Sequence, residues 1–148
     1  MAKKLWLASG AGRCACGCMM SKKIYLLEDD PDIRTIVKFI LCRDGYEVQA
    51  FEKISDFNEQ LSKEKSPDLF IMDVSLPDGN GLDLCQKLVV DKKYFFIPTL
   101  IMSAGACNEE TARASGARNF ITKPFEIKNL LKKVKDLLLS WQRRDLTE

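Results

Sequence analysis

Several residues in this chain could combine into phosphoryl chemistry: the acids Glu28, Asp29 and Asp30, a further acid at Asp73, the hydroxyl of Ser103 and the amine of Lys123. Each group follows an apolar or β-branched run: Ile24–Leu27, Leu69–Met72, Ile97–Met102 and the segment from Arg118 to Thr122. Carboxylates packed together repel one another unless a cation or a proton relieves them. A hard cation such as Mg²⁺ suits an all-oxygen site with one or two carboxylates and several retained waters. It also bridges to phosphate oxygens and neutralises their charge. An Asp carboxylate can itself act as the nucleophile and form an aspartyl phosphate. A Lys and a hydroxyl can then hold the remaining phosphoryl oxygens. Taken singly, each residue has a plainer reading. Asp73 could cap a strand or start an Asx-turn, Asp30 reads better as a helix cap than as a ligand, and Lys123 could be an ordinary strand-end lysine. A matched acidic, hydroxyl and basic set from four strand ends is harder to explain that way.

The elements that must position these groups are legible from Lys22 onward. Short apolar runs bounded by turn residues read as buried strands, and they alternate with helical patterns. Pro31 takes a favoured first helical position behind Asp30. Ile33, Ile36, Val37, Ile40 and Leu41 then recur with helical spacing, and Gly45 reads as the stop. Tyr46–Phe51 is a second strand, and Ile54, Phe57 and Leu61 mark a short helix. The strand to Asp73 ends in Pro77-Asp78-Gly79, read as turn chemistry with Gly79 at positive φ. A helix carries Leu82, Cys85, Leu88 and Val89; a fourth strand runs from Ile97 to Met102, with Pro98 tolerated near its start. A weak helix covers 106–115 and a fifth strand ends at Lys123-Pro124. The last helix places Ile127, Leu130, Leu131, Val134, Leu138 and Trp141 on one face, with Lys128, Lys132, Lys133 and Lys135 as a solvated face. Five such units predict an α/β fold, a doubly wound parallel sheet with helices on both sides. In such sheets ligands bind at the carboxyl edge, where the acids stand.

Bulk properties set outer bounds. The 148 residues suit one domain with a real core. A formal net charge of +2 is too weak a field to argue for nucleic acid or membrane binding. No apolar run has the length of a membrane span. The chain has no His, which excludes His-based catalysis or a phosphohistidine of its own. Cys42, Cys85 and Cys107 fall singly in apolar or helical patterns and read as small buried hydrophobes. Cys14, Cys16 and Cys18 crowd into residues 1–20, which lack the paired spacing of a zinc site. That segment reads as a leader, disordered or added for expression, ahead of a natural start at Met20-Ser21. It is too short in apolar residues for a secretion signal, so a cytoplasmic setting with reduced thiols is expected.

From Lys22 to about Trp141 the chain resembles the receiver domain of two-component response regulators. The matching pieces are Leu26-Leu27-Glu28-Asp29-Asp30, the run from Met72 to Gly81, Met102-Ser103-Ala104 and Thr122-Lys123-Pro124-Phe125. The resemblance implies a receiver domain over residues 21–142, a polar tail over 143–148 and the flavodoxin-like strand order 2-1-3-4-5. It makes Asp73 the phosphoacceptor, Lys123 the phosphoryl-gripping lysine, and Glu28 and Asp29 the metal acids, with Asp29 the better direct ligand. Mg²⁺ would also take Asp73 and the backbone carbonyl of Ser75. Ser103 matches the switch hydroxyl and Phe120 the switch aromatic, and Lys123-Pro124 is expected cis. The implied partners are a histidine kinase or phosphotransfer protein as donor and a downstream effector, such as a DNA-binding domain outside this chain. The receiver itself would bind neither membrane nor nucleic acid, and would catalyse only its own phosphorylation and dephosphorylation.

Two departures from the family pattern stand out. The segment from Ser103 to Gly116 is shorter than usual by about two residues, half a helical turn. Arg118-Asn119 occupies a place where DNA-binding relatives often carry acids that pair across a dimer. Three rival readings remain. A haloacid dehalogenase-type hydrolase would want an acid at Ser75, and a flavodoxin-like cofactor binder would want a Ser/Thr/Gly-rich loop in place of Glu28-Asp29-Asp30. A degenerate receiver would serve only as a binding module.

Overall fold

The computed structural model describes residues 21–105 and 107–145, without the side chains of 141–145. Cys14, Cys16 and Cys18 of the leader, and the Trp141 side chain, lie outside the described residues. In chain order the elements are β1 (Lys23–Leu27), α1 (Pro31–Arg43), β2 (Glu47–Phe51), α2 (Ile54–Lys63) and β3 (Leu69–Asp73), followed by α3 (Gly81–Val90), β4 (Thr99–Ser103), α4 (Glu109–Ala114), β5 (Asn119–Thr122) and α5 (Ile127–Asp145). The five strands pair in parallel in the order β2-β1-β3-β4-β5. This is the doubly wound sheet expected from the sequence.

Register carries the functional residues to one edge. Leu27 lies opposite Met72, Asp73 opposite Met102, and Ser103 opposite Thr122. Successive strands therefore stop within a residue or two of one another, and Glu28, Asp73, Ser103 and Lys123 emerge side by side. Every residue of β3 is buried, as a central parallel strand covered on both faces must be. Side chains alternate between faces along each strand, which divides the interior in two. Tyr25, Leu27, Phe70, Met72 and Ile101 pack with Phe57 of α2 and Cys85 of α3. Ile24, Leu26, Ile71 and Leu100 pack with Leu41 of α1 and Leu130 and Val134 of α5.

Local chemistry sets the element ends near the site. The Asp30 carboxylate accepts hydrogen bonds from the Asp32 and Ile33 amides at 2.9 and 3.2 Å, capping α1 just ahead of Pro31. Gly45 takes φ 101° and releases the chain from that helix. The Lys123–Pro124 peptide is cis, as expected.

Several side chains depart from the sequence reading. Ile36 and Ile127, assigned to apolar helix faces, are 55% and 53% exposed. The fully buried stripe of α1 narrows to Val37 and Leu41, the two residues that join the core shared by the sheet and α5. Cys42 is exposed rather than buried, while Cys85 is fully buried and Cys107 half-buried. Gly79 is not among the positive-φ glycines. It lies instead in a two-residue antiparallel ladder in which Ser75–Leu76 pairs with Gly79–Asn80, so Pro77 and Asp78 make the expected turn while Gly79 itself belongs to the ladder. The last helix runs on to Asp145, past the expected boundary at 142.

Candidate functional site

The acids at the carboxyl edge converge. One carboxylate oxygen each from Glu28, Asp29 and Asp73 lies within 4.8 Å of the others. Glu28 is wholly buried, Asp73 nearly so, and Asp29 is exposed at the rim. This hard-oxygen donor set, with one face open to solvent, fits a small divalent cation that keeps some of its waters.

Lys123 closes the inner side of the cluster. Its Nζ donates to Glu28 Oε2 at 2.5 Å and lies 3.2 Å from Asp73 Oδ2. Burial pushes the Glu28 carboxyl up to about 7, against the lowering effect of Lys123 and the Asp30 amide, while the Asp73 charge adds to the rise. Burial alone would lower the Lys123 amine, but the hydrogen bond it donates to Glu28 and the charges of Glu28 and Asp73 outweigh it and hold the amine above its ordinary value. The pocket thus presents a cation fixed between two acids.

The remaining predicted residues surround this cluster at different distances along the chain. Ser103 is fully buried at the end of β4. Its carbonyl accepts from the Lys123 amide at 2.8 Å, and its Oγ accepts from the Cys107 amide at 3.2 Å. Ser75 lies two residues past Asp73 on the exposed side of the small ladder. Phe120 is half-buried on β5 and packs against the α2–α3 core. It also lines a groove of about 810 Å³ bordered by Pro124, Phe125, Lys128 and Lys132, away from the acids.

Two positioning features escaped the sequence reading. Arg34 Nη1 donates to the backbone carbonyls of Glu28 and Asp29 at 2.9 and 3.2 Å. Asp78, read as local turn chemistry, accepts from the Ile54 and Ser55 amides at 2.9 and 3.0 Å. It thereby caps α2, whose own N-cap residue, Lys53, makes no side-chain cap. The sequence signal for Arg34 was its place one turn beyond the Asp30 cap, where a long donor can fold back over the strand end. For Asp78, separated from the first residues of α2 by more than twenty positions, no local signal existed. Gly81 has a separate constraint: a Cβ there would collide with the carbonyl oxygen of Asp73. Only glycine lets α3 start this close to the end of β3.

With fold and geometry in place, comparison with known proteins identifies the class. The family model of the response regulator receiver domain matches residues 24–135. The chain belongs to that family. The DNA-binding dual master transcriptional regulator RpaA of Synechocystis is 34% identical over 119 residues, covering 78% of this chain and 48% of the relative. The phosphate regulon transcriptional regulatory protein PhoB of Escherichia coli is 31% identical over 121 residues, covering 80% of this chain and 52% of the relative. Among solved structures, the signal receiver domain of a signal transduction histidine kinase from Syntrophus aciditrophicus superposes with a TM-score of 0.73 at 30% identity. That match covers 81% of this chain and 92% of the other. The chain spans about half the length of the curated relatives it matches. It is a receiver of the two-component signalling class. No helix among the described residues is long and apolar enough to cross a membrane.

Proposed function

We propose that Asp73 accepts a phosphoryl group from a phosphohistidine on a partner histidine kinase or phosphotransfer protein. An Asp73 carboxylate oxygen attacks phosphorus, the P–N bond to the donor imidazole breaks, and the imidazole leaves with a proton from solvent. Glu28, Asp29, Asp73 and the Ser75 carbonyl would hold Mg²⁺, which when bound neutralises charge on the transferring oxygens. Lys123, already 3.2 Å from Asp73 Oδ2, follows the new phosphoryl oxygens as a charge-assisted donor. The modification adds about one and a half to two negative charges at this strand end. The Ser103 hydroxyl turns to donate to it, and Phe120 moves inward into the space released. The face formed by α4, β5 and α5 then shifts between two populations and is read by an effector. Because RpaA and PhoB are transcriptional regulators of about twice the matched length, a DNA-binding effector is the fitting output. The setting that follows is cytoplasmic.

The observation that carries this reading is the convergence of three carboxylates at a sheet edge, two of them paired with one lysine. The test is incubation with acetyl phosphate, with Mg²⁺ or with EDTA, followed by intact mass spectrometry. A phosphate adduct that requires Mg²⁺ and is removed by hydroxylamine, as an acyl phosphate is, is expected. A folded protein that takes no phosphate with Mg²⁺ present would instead be a phosphorylation-independent binding module.

A further inference from the structure

We propose that Arg34 is a positioning residue for the metal-binding acids, a clamp on the backbone of the loop that carries Glu28 and Asp29. This inference rests on the reading of those acids as the Mg²⁺ site. The last ladder hydrogen bond at the end of β1 runs from the Glu28 amide to the Phe51 carbonyl, at 3.0 Å. Beyond it the chain leaves the sheet, and the carbonyls of Glu28 and Asp29 have both turned to one guanidinium nitrogen, at 2.9 and 3.2 Å. Arg34 is held in place from its own side. Its amide donates to the Asp30 carbonyl at 2.9 Å in the first turn of α1, a turn that Asp30 and Pro31 start. Beside the Asp30 cap and the bond from the Asp30 amide to the Glu28 carboxylate at 3.2 Å, Arg34 thus ties the loop 28–30 between strand and helix.

The acids need such a fixture. Three carboxylate oxygens within 4.8 Å repel one another. Lys123 relieves Glu28 and Asp73 from inside the pocket, but Asp29 stands exposed at the rim and forms no ion pair among those found in the described residues. Without a hold on its backbone, the loop can relax outward and carry Asp29 from the cluster. A rigid, planar guanidinium whose Nη1 reaches two successive carbonyls opposes that movement better than the flexible ammonium of a lysine would.

Two effects of Arg34 on a cation have opposite signs, which makes the proposal testable. As a charge near the site, Arg34 repels Mg²⁺; as a clamp, it assembles the ligands and favours binding. Titration calorimetry with Mg²⁺ alone would compare the native chain with Arg34→Met and Arg34→Lys. Loss of an outer hydrogen bond to a ligand-bearing segment lowers metal affinity by roughly tenfold or more, so Arg34→Met is expected to bind about tenfold more weakly. Arg34→Lys keeps the charge but loses the rigid guanidinium, and falls between the two. A core variant distant from the acids, Phe57→Leu, lowers the melting temperature yet keeps native affinity, which separates clamping from general destabilisation. Equal or tighter binding by Arg34→Met overturns the clamp; if that variant does not fold, native affinity in Arg34→Lys overturns it instead. A native chain that binds no Mg²⁺ at all would overturn the metal-site reading beneath it, a result distinct from either.

Discussion

Among the described residues, Lys123 is the one side chain seen to form ion pairs with both buried acids of the site. Taking a charge into a protein interior is tolerable only while its partner stays in place, and removing one partner leaves the other uncompensated. We therefore expect Lys123→Met to lower the unfolding free energy of the Mg²⁺-free protein by about 3 kcal/mol. Urea denaturation at neutral pH reads this directly. A loss below roughly 0.5 kcal/mol, the range of an exposed pair, would mean that the lysine is not held as described. The residue types at the strand ends were legible because each polar group interrupts an apolar run. Which of them touch was not. Glu28 and Lys123 stand 95 positions apart, and only the register of β1, β3, β4 and β5 brings them together. Arg34 was hard to read for a related reason: its partners are backbone carbonyls, and only its place one turn beyond the Asp30 cap pointed to them.

Helix periodicity shows which face of an element is apolar, but the width of the buried stripe depends on what lies beneath it. Val37 and Leu41 of α1 are buried and Ile36 is not, although all three share the same pattern. The loop after β3 shows the same limit in polar form. Asp78 looked like part of a turn, yet it closes α2 from across the structure, with its carboxylate on the Ile54 and Ser55 amides. Those two hydrogen bonds hold its carboxyl below the usual Asp range. A carboxylate with a depressed folded-state pKa stabilises the fold above its unfolded value near 3.8, and that stabilisation fades as pH falls through the lower folded value. Asp78→Asn should therefore melt at a lower temperature than the native chain at pH 7. The gap should narrow as the pH is lowered and the Asp78 carboxylate takes up its proton. A gap of constant size as the pH falls would show that the charge on Asp78 plays no part in the cap.

On the scale of the whole molecule, the alternation of strand and helix was enough to predict a parallel sheet. Because β3 is buried along its full length, Asp73 ends at the centre of the sheet edge rather than at its margin. Strand order could not be read from alternation, since several right-handed arrangements satisfy it; the resemblance supplied it, and the pairing of β1 with both β2 and β3 agrees. The two cores on either side of the sheet, one built on Tyr25, Phe57 and Phe70 and the other on Leu41, Ile71 and Val134, hold the four strand ends level. The central claim is that this edge places one carboxylate, Asp73, to take a phosphoryl group. The most direct measurement is to phosphorylate the native chain and Asp73→Asn with acetyl phosphate and Mg²⁺, reduce both with borohydride, and sequence the peptides by tandem mass spectrometry. Reduction converts a phosphorylated aspartate to homoserine. Homoserine at position 73 in the native chain, and none in the variant, is the predicted result. Homoserine at Glu28's neighbour Asp29 or at any other aspartate, with Asp73 untouched, would contradict the account.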